Sequence, residues 1–326
     1  MVEPRNFKEF DEDDVRSRPP RSSRPRTKDR PDYSQALSAF VIAVDRGRVT
    51  CLADNSEITA MKSRELGKKS VVVGDLVGIV GDVSGTDGTL ARVVNVSTRR
   101  NALTRTVDDD AELERMIVAN VDQMAIVIAS QDPEPRHGFV DRALVVAYDQ
   151  AITPIIIMTK CDLADGEEFL QAYKDLDIKI IKVQVEKQKG RELDEIREIL
   201  ARKSTVLLGH SGVGKSTLVN ALVESADRAT GSVNDATGRG RHTSSSAIAL
   251  SLAGGGWIID TPGVRSFGVA HVDSKRVISA FGEFREAIEH CPKNCSHNEE
   301  SCALNSWELD ANSKSRLESL RRLLQA

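Results

Sequence analysis

Aromatic side chains are scarce in this 326-residue chain: eight Phe, three Tyr and two Trp make up 4% of it. They are scarce in residues 38–98 as well, which argues against a single-strand binder that works by base stacking there. Cysteine is also rare. Five cysteines are too few and too unevenly spaced for a disulfide framework, and three of them crowd into residues 291–302, which points to metal in a reducing compartment. Long apolar runs are missing. The longest, such as "MAIVIA" and "PIIIM", fall far short of a membrane span. The N-terminus is charged from Glu3 onward and carries no apolar signal region. These absences together predict a cytoplasmic protein. No internal repeat period is visible. What remains is the composition of an ordinary soluble chain, 40% hydrophobic and 29% charged, with room for two or three domains.

The net charge of -4 conceals local asymmetry. Six acids lie between Glu3 and Asp14, and seven bases between Arg16 and Arg30. With Pro19, Pro20, Pro25 and Pro31 and almost nothing apolar, residues 1–37 cannot offset their ordering entropy by burial, so a disordered tail is expected. A solvated tail and an arm touching nucleic acid are equally compatible with it.

Residues 38–98 read as about five short strands. "SAFVIAVDRGRVTCLA" supplies two, and "SVVVGDLVGIVGDVSGTDGTLARVVNVS" supplies three broken by Gly-Asp and Asp-Gly turns. An OB-fold is the first expectation, with any other small β-barrel or SH3-like module as the alternative. After a connector, "RRNALTRTVDDDAELERMI", strands and helices alternate. "VDQMAIVIAS", "TPIIIM", "DIKIIKVQV" and "STVLLG" read as strands; "HGFVDRALVVAYDQA", "DGEEFLQAYKDL" and "GRELDEIREILAR" read as helices. Such alternation predicts a parallel α/β sheet covered on both faces.

"GHSGVGKST" matches G-x-x-x-x-G-K-S between a β-branched strand and a helix, the context a phosphate-binding loop requires. Gly209, Gly212 and Gly214 let backbone N–H groups turn inward towards phosphate oxygens, and the helix N-terminus adds partial positive charge. Lys215 suits the β- and γ-phosphates, and the Ser216 hydroxyl suits Mg2+. "TKCD" follows a buried strand. A carboxylate only accepts hydrogen bonds, so Asp162 suits guanine, whose N1–H and exocyclic amine both donate; such pairing discriminates by about 10⁴ or more. The Lys160 stem is expected to pack on the base and Thr159 to brace the loop. The candidate GTP site therefore runs over Thr159, Lys160, Cys161 and Asp162, then Gly209, His210, Ser211, Gly212, Val213, Gly214, Lys215, Ser216 and Thr217.

"DTPG" adds Asp260 as a Mg2+-side carboxylate and Gly263 as a γ-phosphate donor. The long polar stretch before it suits a loop ordered by its ligand. Thr243 is the candidate switch hydroxyl on Mg2+, with Thr237, Ser244 and Ser245 as competitors. Val264 stands where many GTPases carry a water-orienting Gln, which leaves that task to His242 or to a partner. Lys215, His242 and Thr243 are thus the catalytic candidates. Cys291, Cys295, His297 and Cys302, spaced C-x₃-C-x-H-x₄-C, suit one structural Zn2+, with His290 as an alternative imidazole. "SKSRLESLRRLLQA" reads as a helix with Leu317, Leu320 and Leu324 on one face, a packing helix whose Arg316, Arg321 and Arg322 leave RNA contact open.

The guanine loop precedes the phosphate loop, the reverse of the usual order. A parallel sheet tolerates such a cut if its original ends lie close together. In this order, "NVDQ", "TKCD", "GHSGVGKSTLVN", "GRGRHT" and "DTPGVRSFG" resemble the ribosome small-subunit-dependent GTPase A (RsgA) family over nearly all of residues 38–326. The resemblance implies a circularly permuted P-loop GTPase domain (99–270), an N-terminal OB-fold (38–98) and a C-terminal zinc-binding helical domain (271–326). It further implies GTP hydrolysis stimulated by the 30S subunit in late maturation, contact of both flanking domains with 16S rRNA, Mg2+ bound with GTP, and a candidacy of His242 for positioning water. A monomer is the default. Two features depart from the family: each zinc loop is one residue shorter than usual, and Gln184 and Val185 stand near its guanine-supporting Ser-Ala pair. A permuted GTPase of the large subunit, and a nucleotide-gated RNA-binding module with negligible turnover, remain the alternatives.

Overall fold

A computed structural model describes residues 33–66, 70–106, 114–184, 191–230, 247–261, 274–307 and 311–325. Contacts divide the chain into two units, 1–35 and 36–326, and everything below concerns the second. The expected tail lies, up to residue 32, outside the described residues.

Five strands come first: β1 (Leu37–Asp45), β2 (Arg48–Ala53), β3 (Ser56–Lys62), β4 (Leu76–Gly81) and β5 (Ala91–Val96). They pair in the order β1-β2-β3-β5-β4, and β4 returns to β1, closing a barrel. All of these pairings are antiparallel except β3 with β5. This is an OB-like barrel. Its interior takes alternate residues from each strand, including Val41, Cys51, Ile58, Ala60, Ile79 and Val93. Burial pushes the Cys51 thiol up to about 12, so it behaves as a small core hydrophobe.

The strands are distributed differently from the expectation. A third strand, β3, lies between the two stretches expected to supply strands; its sequence alternates only weakly, with Ile58 and Ala60 inward and the apolar Met61 exposed. The second stretch supplies two. Val71–Val73 makes no ladder, but Val73 bridges to Val118.

The expected connector contains an antiparallel pair, β6 (Ala102–Thr106) and β7 (Glu114–Ala119). It seats the barrel. Gly74 lies so close to the strand end that a Cβ there would stand 2.0 Å from the Ala119 carbonyl oxygen. Fully buried Asp75 accepts two bonds from Arg99, at 2.6 and 2.8 Å, and one from the Val72 amide.

The α/β part follows the alternation: β8 (Gln123–Ala129), α1 (His137–Asp149), β9 (Thr153–Thr159), α2 (Glu167–Leu170), β10 (Lys179–Lys182), α3 (Arg191–Leu200), β11 (Ser204–Leu208), α4 (Lys215–Thr230), β12 (Ile248–Ser251) and β13 (Trp257–Asp260). The order β10-β9-β8-β11-β13 is parallel throughout, and β12 is antiparallel to β13. β12 also bridges to β1 at Ala43–Ile248, so barrel and α/β sheet are continuous. The helix expected over "DGEEFLQAYKDL" shrinks to α2 and a 3₁₀ turn at Gln171–Tyr173; the residue before α2, Gly166, is left-handed and offers no side-chain cap.

One face of the sheet packs Ile155, Ile157, Leu207 and Ile258 against α3 and α4. The other packs Ile126, Ile156 and Val206 against α1 and the C-terminal segment. That segment holds α5 (Ser274–Ser279), α6 (Arg285–Glu289) and α7 (Ala311–Leu324). On α7, Leu317, Leu320 and Leu323 are buried, and Leu324 is only half-buried. No described helix is long and apolar enough to cross a membrane.

Candidate functional site

In the parallel register Ala129 pairs with Thr159, Leu208 with Ile126, and Leu207 with Asp260. The loops that follow β8, β9, β11 and β13 therefore leave from one edge of the sheet, where α/β folds bind ligands. β9 and β11 both flank β8, so the guanine and phosphate loops start two strands apart, about 10 Å. Their order along the chain is irrelevant to this placement.

The two loops are also bonded to each other. Thr159, fully buried, donates its hydroxyl to the Val213 carbonyl at 2.5 Å, with the Ile128 carbonyl as a second neighbour at 3.1 Å. Gly214, at φ 83°, lies over Thr159; a Cβ there would meet its Oγ1 at 3.5 Å. Gly209 has a different reason to be glycine, since a Cβ would stand 2.6 Å from the Val127 carbonyl oxygen. Lys160 is left-handed at φ 55°, and its ammonium donates to the Asp132 carbonyl. Cys161 is half-buried, and burial raises its thiol above the ordinary range. The Asp162 side chain is exposed.

Across the phosphate loop, Lys215 donates to Asp260 Oδ1 at 2.8 Å and to the Thr261 carbonyl at 3.3 Å. Thr261, which the sequence reading passed over, braces the end of β13 by donating to the Leu207 carbonyl at 2.9 Å. Ser211 in the phosphate loop and Ser216 and Thr217 at the start of α4 are exposed, and Val213 is buried. The His210 ring packs on Phe139 of α1 at 4.4 Å. Residues Thr237, His242, Thr243, Ser244, Ser245, Gly263 and Val264 lie outside the described residues, as does Val185.

A second cluster stands in the C-terminal segment. Donor atoms of Cys291, Cys295, His297 and Cys302 all lie within 4.8 Å of one another. Cys291 Sγ is 3.8 Å from Cys302 Sγ and 3.7 Å from His297 Nδ1; Cys302 Sγ is 3.9 Å from that nitrogen. A tetrahedral ion with metal–sulfur bonds of about 2.3 Å has edges of about 3.8 Å, so the donor set fits such an ion. His290 instead stacks with Trp307, centroids 6.1 Å apart. Burial holds His297 below the usual imidazole range, favouring the neutral form that ligates. The His297 amide donates to Cys295 Sγ at 3.4 Å, and its carbonyl accepts from Arg321 at 2.9 Å.

The arginines of α7 are committed inward. Arg316 pairs with Glu283 and donates to the Asp175 carbonyl. Arg321 serves the His297 carbonyl, and Arg322 pairs with Asp141 of α1 at 3.0 Å. The packing role of this helix is thus observed, and these three guanidinium groups are used within the fold.

The RsgA GTPase family model matches residues 96–270. A curated relative from Chlorobaculum tepidum, named small ribosomal subunit biogenesis GTPase RsgA, is 37% identical over 251 residues, 74% of this chain and 80% of its own. A relative of the same name from Hahella chejuensis is 36% identical over 266 residues, 79% of this chain and 74% of its own. The crystal structure of YjeQ from Thermotoga maritima superposes with a TM-score of 0.61 at 23% identity, covering 89% of this chain and 99% of that one. The structure of YloQ, described as a circularly permuted GTPase, gives 0.59 at 22% identity, covering 91% and 98%. These two neighbours establish the fold, which is the permuted arrangement expected from the motif order. The match over most of the α/β part and the identity to curated relatives have one consequence: the chain belongs to the RsgA GTPase family.

Proposed function

We propose that this chain hydrolyses GTP to GDP and phosphate in late maturation of the small ribosomal subunit, with turnover stimulated by the 30S particle. The observation that carries the reading is the Thr159–Val213 bond, which ties a guanine-type loop to a phosphate loop at one sheet edge. The curated relatives named above supply the process. In this reading Asp162 accepts from the guanine N1–H and amine, with Thr159, Lys160 and Cys161 shaping its loop. Residues 209–217 wrap the phosphates, and Lys215 exchanges its Asp260 partner for phosphate oxygens. Ser216, Asp260 and Thr243 would hold Mg2+, the Gly263 N–H would donate to the γ-phosphate, and His242 or a ribosomal group would orient water.

Zn2+ on Cys291, Cys295, His297 and Cys302 is structural, because four protein donors leave no open position. The parts divide as a tail (1–37), an OB-fold (38–98), the GTPase (99–270) and the zinc-bearing segment (271–326), and the protein acts as a cytoplasmic monomer on 16S rRNA.

GTP turnover measured at one fixed salt with 30S, 50S, 70S and no ribosomes tests this. Stimulation by 30S subunits alone is expected. Stimulation by 50S alone would move the chain to large-subunit assembly. Binding without turnover under every condition would make it a nucleotide-gated RNA-binding module.

A further inference from the structure

Between β8 and α1 runs "SQDPEPR", residues 130–136, a stretch that neither the phosphate nor the guanine motif includes. It touches both. The Ser130 amide donates to the Thr159 carbonyl at 2.9 Å, and the Ser130 hydroxyl donates to the Lys160 carbonyl at 2.6 Å. Two residues on, the Asp132 carbonyl receives the Lys160 ammonium. Next along the chain, Pro133 lies against the phosphate loop; its Cδ would stand 3.6 Å from a Cβ on Gly212. Lys160 is therefore held at both ends by one short turn, its carbonyl by Ser130 and its ammonium by Asp132.

Lys160 needs such holding. It adopts a left-handed backbone at φ 55°, a region that residues with a Cβ avoid unless their surroundings impose it. The Leu163 amide, at 2.9 Å, is the other donor to the Lys160 carbonyl. The direction of the Lys160 carbonyl sets where Cys161 and Asp162 go. We propose that Ser130 is a positioning residue for base selection: its hydroxyl fixes the left-handed turn that aims the Asp162 carboxylate. The β8–α1 turn is then a third wall of the nucleotide site, spanning from the guanine loop to the phosphate loop. This deepens the guanine reading of Asp162 and rests on it.

Within this turn the Ser130 hydroxyl bonds the guanine loop and not the phosphate loop, so its loss has a specific signature. Guanine offers Asp162 two donors, and hypoxanthine, lacking the exocyclic amine, offers one. A misaimed carboxylate loses more on the first than on the second.

The test is titration of the full chain with GDP, IDP and ADP for wild type, Ser130→Ala, Ser130→Thr and Asp162→Asn, alongside thermal unfolding. For Ser130→Ala, GDP affinity is expected to fall about tenfold, which is about 1.4 kcal/mol, and the GDP-over-IDP preference to shrink severalfold with Tm little changed. Ser130→Thr, which keeps the hydroxyl, is expected to restore the preference. Ser130→Cys, nearly isosteric with a weak donor, should shift it in the same direction as alanine and replaces that variant if it does not fold. If Asp162→Asn abolishes the preference while Ser130→Ala, or Ser130→Cys in its place, keeps it, the proposal is wrong and the guanine reading stands. A wild type that binds GDP, IDP and ADP alike overturns both. Equal weakening of GDP and IDP with a lowered Tm would reduce Ser130 to a merely structural residue and overturn the proposal.

Discussion

The seam between α1 and α7 carries an ion pair whose two halves should not be equivalent. Asp141 is 3% exposed, its Oδ2 pairs with Arg322 at 3.0 Å, and its Oδ1 has no hydrogen-bond partner among the described residues. Arg322 has 33% of its side chain exposed, donates also to the Ala172 carbonyl at 3.2 Å, and lies 5.2 Å above the Tyr173 ring. Burial raises the Asp141 carboxyl above its ordinary range although Arg322, and more weakly Tyr173 and His137, pull it down. Removing the arginine leaves a buried carboxylate uncompensated, which costs about 3–5 kcal/mol for a fully buried pair. Because water reaches one side of Arg322, we reduce this to about 2–3 kcal/mol, with about 0.5–1 kcal/mol more for the lost ring contact. Arg322→Met should therefore cost about 3 kcal/mol and lower Tm by roughly 5–10 °C. Asp141→Asn removes the costly charge and should cost about 1 kcal/mol or less.

The pH dependence has a definite sign. A carboxyl whose folded pKa exceeds its unfolded one stabilises the fold by taking up a proton; that contribution is complete below the unfolded pKa and is lost as pH rises through the folded one. Arg322→Met raises the folded value further. Its deficit should be largest near neutrality and narrow as the solution is acidified. Thermal and urea unfolding of both variants, repeated from about pH 7 downward, measure this. An Asp141→Asn cost equal to that of Arg322→Met, or a deficit that widens on acidification, would refute the reasoning.

Two further outcomes follow from the same geometry. Thr159→Val keeps shape but strips the Val213 carbonyl of its buried donor, at a cost of about 1–3 kcal/mol; if this falls on the nucleotide site, GDP titration should show binding weakened about tenfold or more, and unchanged affinity would mean the bond does not hold the loops. The chain should carry one zinc by elemental analysis, and chelation or Cys302→Ser should lower Tm by about 10 °C or more, since Cys302 and Leu304 share a core with α7 and α1; equal Tm with and without chelator would remove the metal from the structure.

Much of this molecule was legible locally. Wherever one short stretch carries its own reason, as with the glycines of residues 209–214, the β-branched runs of β8, β9 and β11, or the crowding of three cysteines and a histidine, the sequence suffices. Backbone conformation and burial of a segment leave marks in that segment. The weak alternation of β3 and of the β6–β7 pair leaves too faint a mark to read as strands.

Only the tertiary structure decided who meets whom. Thr159 finds Val213 across 54 positions, and Arg322 finds Asp141 across 181. His297 and not His290 reaches the sulfurs, the arginines of α7 turn inward, and β1 joins the barrel to the α/β sheet through β12. Periodicity states that a face must be covered, but any apolar surface of the right shape covers it. A hydroxyl or guanidinium likewise states a need for an acceptor without naming one. The partner is selected by how the whole chain packs, and that choice has no signature within a single stretch.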